Sequence, residues 1–127
     1  MLPHVTEYPE VLLGGQGTLV VYHRYADRHV LFVTQLPTFG TLVEAHGDRH
    51  LDGSETAMVR TLLGDSDAEI PPLCARVIME AMRAGPGGVR VPLLLGLGLK
   101  KECCTVEVVK ELVAFLKEKT PWVVVEE

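Results

Sequence analysis

Long apolar runs are missing from this sequence of 127 residues. The longest, Val91 to Leu99, is nine residues and contains Pro92, Gly96 and Gly98, far short of the roughly 20 that a membrane-spanning helix needs. No membrane association is therefore expected. Serine is almost absent: only Ser54 and Ser66 occur, neither in a G-x-S-x-G elbow, so a serine nucleophile held against a base has little support. There is no block of lysine or arginine, and 12 basic against 17 acidic residues leave a net charge of −5. That balance argues against a general grip on phosphates, and no nucleic acid is expected as a partner. Cysteine is limited to Cys74, Cys103 and Cys104, an odd count with an adjacent pair that cannot close on itself without strain, which speaks against a disulfide framework. The opening MLPHVTEYPE has no basic stretch followed by an apolar one. A secretory signal is not expected, and the reading is cytoplasmic, with the nucleus also open.

Apolar residues are what the chain does have: 47% hydrophobic against 23% charged, with a mean hydropathy of +0.21. A chain of this length fits one domain, 1–127, that buries roughly half to two thirds of its unfolded surface. Some apolar surface should be left over for a partner.

The apolar residues are organised mostly as strands. A weak strand near Tyr8 to Leu13 contains Pro9, which cannot donate to a ladder and marks an edge. After a turn at Gly14 to Gly17, Thr18 to Tyr25 is a second strand, with Leu19, Val21 and His23 on one side and Val20, Tyr22 and Arg24 on the other. Both faces thus carry apolar residues. His29 to Val43, HVLFVTQLPTFGTLV, reads as a hairpin of two β-branched runs about the corner Leu36-Pro37-Thr38-Phe39-Gly40, giving a meander of three or four antiparallel strands. His46 to Ser54 is polar and glycine-bearing, the longest expected loop, and Thr56 to Leu63 a fifth strand that Gly64 ends.

Helical spacing follows. Asp65, Ser66 and Asp67 offer capping oxygens, Pro71 and Pro72 suit a first turn, and Leu73, Val77, Ile78, Ala81 and Met82 form the inward face of a helix running to Ala84. Beyond the breaker Gly85-Pro86-Gly87-Gly88, Val89 to Leu99 is continuous enough for a central strand, with a bulge or an unpaired side expected at Pro92. Thr105 should cap a second helix whose inner face is Val106, Val109, Leu112, Val113 and Leu116, while Glu107, Lys110, Glu111, Lys117 and Glu118 face water and Pro121 closes it. Trp122 to Val125 is β-prone; tucking the tryptophan against the domain is favoured over adding a strand to an edge.

Chemistry is thinly supported. His46, Asp48, His50 and Asp52 alternate and could hold a divalent cation, but Gly47 and Gly53 point to a solvated turn, so no metal is assigned. Cys103-Cys104 precedes a helix start beside Lys100 and Lys101, a setting that can lower a thiol pKa, yet a small residue facing in and another facing out is the simpler account. Gly96-Leu97-Gly98-Leu99-Lys100-Lys101 lacks the spacing of a phosphate loop, and its glycines read as leaving room for close packing. His4, His23 and His29 read as surface or half-buried side chains, and Met79 and Met82 as core. No catalytic or cofactor-binding residue is assigned, and no cofactor.

The order Val33-Thr34-Gln35, then Gly40-Thr41-Leu42-Val43, then Thr61-Leu62-Leu63-Gly64 before an amphipathic helix resembles the proteasome assembly chaperone 3 family. Order and spacing agree from about His29 to Trp122. Read together, the elements make an α+β fold: a six-stranded, mainly antiparallel sheet with two helices on one face, in the order βββββαβα. The other face then carries apolar residues that a second copy should cover, so a dimer is expected. The resemblance implies a non-enzymatic assembly chaperone that forms homodimers or pairs with the related assembly chaperone 4. Its members bind proteasome α-subunits and promote ordered α-ring assembly. Family members have a flexible loop between the strands matching those that flank His46 to Ser54. This makes Asp48, Arg49, His50 and Leu51 the candidate partner contacts, although the loop's sequence departs from the family's. Two rivals remain: a small hydrolase or thiol enzyme built on Cys103 or Cys104, and a generic dimeric scaffold of another complex, whose usual leading helix this chain lacks.

Overall fold

The structure, a computed structural model, describes residues 4–85 and 89–123. Strands β1 (His4–Leu13), β2 (Gln16–Arg24), β3 (His29–Thr34), β4 (Thr41–Arg49) and β5 (Glu55–Leu63) precede helix α1 (Ile70–Ala84), strand β6 (Leu93–Gly98) and helix α2 (Val106–Lys119). The six strands form one sheet in the spatial order β1-β2-β3-β6-β4-β5. All pairings are antiparallel except β3 with β6, so the fold is the expected α+β class.

Pro9 behaves as an edge residue should. β1 lies at the sheet's margin, and its register with β2 shifts between Tyr8 and Val11, where the proline leaves the ladder without a donor. Pro92 does not sit inside a strand as expected. β6 begins one residue later, and Pro92 contributes only its carbonyl, which accepts from the His29 amide at 2.9 Å, so no bulge is needed.

The expected hairpin between the third and fourth strands does not form. β6 inserts between β3 and β4, parallel to one and antiparallel to the other, and the meander stops at three strands. The corner Leu36 to Gly40 must therefore cross two strand spacings, roughly 10 Å, which a tight two-residue turn cannot do. It does so by wrapping over the end of β6: the Gln35 and Leu36 amides donate to the Gly98 carbonyl at 2.8 and 3.1 Å, and the Gly40 amide donates to Leu97 at 3.1 Å. A Cβ on Gly98 would collide with the Thr38 carbonyl, so the crossing requires glycine there.

The strand period of two sends Leu13, Val20, Tyr22, Leu31, Val33, Val43, Ala45, Leu93, Leu95 and Leu97 to one side, where all are buried. They join Cys74, Ile78, Met79 and Met82 of α1 and Val108, Val109, Leu112 and Leu116 of α2 in a single apolar cluster. α1 lies against β4, β5 and β6, and α2 lies against α1 and β1. Both helices therefore cover the same face.

The helix starts differ. Thr105 Oγ1 accepts from the Val108 amide at 3.2 Å, the cap expected for α2. In α1 the N-cap is Glu69 with no side-chain bond, because Asp65 spends its carboxylate on the Asp67 amide in a local turn. The inward face of α1 is also turned: Cys74, Ala75 and Met79 are sealed, while Leu73 and Val77 are half-buried. Val106, expected inside α2, is exposed. Trp122 is 2% exposed and lies within van der Waals reach of Gly85, which is the intramolecular tuck; Val124 and Val125 lie outside the described residues, as do Pro86 to Gly88.

Candidate functional site: the uncovered face of the sheet

The alternate positions of the same strands point away from the helices. Register places Leu19 and Val21 of β2 beside Thr34 and Phe32 of β3, and these beside Gly98 and Gly96 of β6; across β6, Leu42 of β4 stands beside Gly96 and Glu44 beside Leu94. Among the described residues no helix stands over them. Leu19 and Phe39 remain 39% and 36% exposed, and Met58 of β5 is 48% exposed at the far side. This is a largely apolar surface, interrupted by Thr34 and Glu44, of the kind that single soluble chains rarely leave open.

Its centre is built around bare backbone. An added Cβ on Gly96 would come within 2.6 Å of the Phe32 ring and 3.5 Å of Phe39, so glycine on the central strand lets the two rings lie down across it. Their centroids are 5.2 Å apart, and His23 stands edge-on to Phe32 at 6.1 Å. The glycines of β6 therefore leave room for close packing and shape this surface. The alternation of Leu19 and Val21 with Val20 and Tyr22 was the signal for it. Phe39 gave none, since nothing local says that the corner folds back over β6.

The motif residues hold the frame. Gln35 Nε2 donates to the Leu13 carbonyl at 3.1 Å and to Thr18 Oγ1 at 3.0 Å, while its Oε1 accepts from the Lys100 amide at 2.9 Å. One amide side chain thus ties the β1–β2 turn, the end of β3 and the exit of β6. Gly64 has φ +105°, and a Cβ there would meet the Gly40 carbonyl at 2.8 Å. Val33-Thr34-Gln35, Gly40-Thr41 and Leu63-Gly64 are architectural.

His46 to Ser54 is shorter as a loop than expected. β4 continues to Arg49 and β5 begins at Glu55, leaving a turn at 50–54 closed by the His50 amide on the Ser54 carbonyl at 2.8 Å. Strand alternation places Asp48 on the uncovered side and Arg49 on the helix side. His50 Nε2 lies 2.9 Å from Thr56 Oγ1, and Leu51 at the tip is fully exposed. Asp52 accepts from both the amide and the hydroxyl of Ser54, which holds its carboxyl below the usual range. Among the described residues no three His, Cys, Asp or Glu side chains are placed to hold a metal ion.

The adjacent cysteines face opposite ways. Cys103 is buried with its thiol directed at the Leu13 carbonyl, 3.8 Å away, and Cys104 faces outward toward the Lys100 carbonyl at 3.6 Å. Partial burial, then Cys103 and Glu102, push the Cys104 thiol up rather than down, so the lysines do not have the effect anticipated. Burial raises Cys74 to about 12. His29 is not half-buried but 7% exposed on the helix side, where its Nδ1 lies 2.6 Å from the Tyr22 hydroxyl oxygen. Desolvation, helped by Arg24, lowers its pKa to about 4, so the ring is neutral at pH 7. This pair is core structure. Among the described residues no helix is long and apolar enough to cross a membrane.

Comparison with known proteins agrees with the frame. The family model for proteasome assembly chaperone 3 matches residues 31–119, from within β3 to the end of α2. No curated protein matches the chain. Among solved structures, a chain from the crystal structure of a novel chaperone complex for yeast 20S proteasome assembly superimposes with a TM-score of 0.68, covering 97% of this chain and 100% of its own length at 16% identity. At that identity the likeness is one of fold. The family match spans well over half of the sequence, and on it the chain belongs to the proteasome assembly chaperone 3 family.

Proposed function

We propose that this member of a chaperone family works by binding alone: as a dimer, with itself or with the related assembly chaperone 4, it captures a proteasome α-subunit and promotes ordered assembly of the α-ring, in the cytoplasm or nucleus. The observation that carries the reading is the uncovered apolar face centred on Phe32, Phe39 and Gly96. Burying it against a second polypeptide removes apolar area from water, at roughly 25 cal/mol per Å² before the cost of association. The β4–β5 hairpin then projects beyond the covered region, with Asp48, Arg49, His50 and Leu51 at its tip as the contacts to the α-subunit. Binding energy would favour one assembly intermediate over wrong pairings, with no bond made or broken. A convergent reactive group to support a thiol enzyme is missing among the described residues, since Cys104 is the exposed thiol and its pKa is raised.

The test is capture of individual recombinant α-subunits by the full chain, compared with a variant in which Asp48 to Leu51 are all Gly or Ser. The reading expects one subunit to be retained and the variant to lose it while still dimeric. Equal retention by the variant would remove the hairpin from the account, and retention of no α-subunit would overturn the function.

A further inference from the structure

At the turn end of the same hairpin, on the helix side, three guanidiniums converge on one carboxylate. Arg83 Nη2 and Arg90 Nη1 both donate to Glu55 Oε2, at 2.7 and 2.6 Å, and Arg49 Nε lies 3.8 Å from Oε1. The adjoining cleft, about 580 Å³, adds Arg76 and Glu80. Arg49, Arg83 and Arg90 thus meet on Glu55, with Arg76 and Glu80 on the wall of the adjoining cleft, in a protein whose overall charge is −5. The cluster is built into the fold: Arg83 lies across the bare backbone of Gly47, where any Cβ would collide with its guanidinium, and its side chain is only 15% exposed.

The other two arginines are in a different state. Arg49 and Arg90 are 78% and 60% exposed, and each spends a single contact on Glu55. A guanidinium has five N–H donors in a planar fork, so among the described residues most of theirs are left without a carboxylate, and they reach Glu55 on the cleft wall from the hairpin and from the segment before β6. Charge-assisted, forked bonds to carboxylate are what such a pair makes best.

We infer that this cleft binds an acidic segment of the protein partner, its carboxylates bridging Arg49 and Arg90 while Glu55 and Arg83 hold the floor. This rests on the proposed function and adds to it a chemistry for the surface that the hairpin meets: the captured subunit presents clustered Glu or Asp there. Attraction of opposite charge would also orient the approach, and would fade with added salt.

The test uses the full chain and an N-acetylated penta-glutamate peptide, followed by amide shifts in NMR, with a penta-lysine peptide and inorganic phosphate as comparisons. The expected result is saturable movement of the Gly47, Glu55 and Arg90 amides by penta-glutamate alone. In Arg49→Gln/Arg90→Gln the affinity should fall by about tenfold, one forked ion pair's worth. Both substitutions are at exposed side chains, so an unchanged melting temperature shows that the variant is folded. Unsaturable shifts, equal affinity in the variant, or displacement by an equal concentration of phosphate would overturn the inference. The titration needs no α-subunit, so it can succeed where capture fails, and the two failures are separable.

Discussion

On the helix side of the sheet, Leu31, Leu95 and Val43 stand in neighbouring strands and are sealed; on the opposite side Phe32, Leu94 and Leu42 occupy the next positions of those same strands and are only partly covered. The residues are alike in polarity. What separates them is the second layer: two helices cover one side, and among the described residues no element covers the other. Strands with apolar residues on both faces are stable when both faces are dry, which is why the proposed function places a second polypeptide on the open one.

The largest effect should come from breaking the sealed side. Leu95→Ala opens a cavity in a packed interior and should cost about 2–5 kcal/mol in denaturant unfolding, whereas Leu94→Ala, one residue earlier, should cost the isolated chain less than about 1 kcal/mol and weaken its self-association instead. Similar losses for the two in a monomeric sample would erase the distinction between the faces.

A smaller effect tests how dry the sealed side is. His29 has its pKa lowered to about 4 from 6.5 by burial, then by Arg24. The unfolded chain therefore binds more protons between those values, and stability is full above about pH 6.5 and is lost as pH falls toward about 4, on the order of 1–2 kcal/mol. His29→Gln should remove most of that slope in urea melts taken across the window; an unchanged slope would mean that the ring is wet. Smallest of all, the exposed Arg60–Glu44 pair on the uncovered side, 3.0 Å apart, should be worth less than about 0.5 kcal/mol in the monomer when Arg60 becomes Ala.

Much of this architecture was legible because it depends on local pattern. Pro9 marked the edge, Thr105 the cap of α2, Gly64 the strand end, and the alternation through β2 announced two apolar faces. The failures are non-local. Nothing in His29 to Val43 reveals that β6, some fifty residues later, fits between its two runs; the continuous apolar run of Val89 to Leu99 marked a central strand but not which strands it lies between. On α1 the expected Ile78, Met79, Ala81 and Met82 are buried, but Cys74 and Ala75 are sealed with them while Leu73 and Val77 are only half-buried. At the hairpin, polarity concealed strand: His46 to Arg49 are paired with Met58 to Glu55 despite a sequence that looks like loop. The arginine cluster on Glu55 draws on β4, β5, α1 and the segment before β6, and spacing alone could not have assembled it.

The measurement closest to the centre of the account is sedimentation equilibrium of the full chain beside Leu19→Asp/Phe39→Asp, two half-open positions on the helix-free face. The account predicts a dimer for the native chain, and a monomer of unchanged melting temperature for the variant. A native chain that remains monomeric at high micromolar concentration, alone and when mixed with assembly chaperone 4, would contradict it.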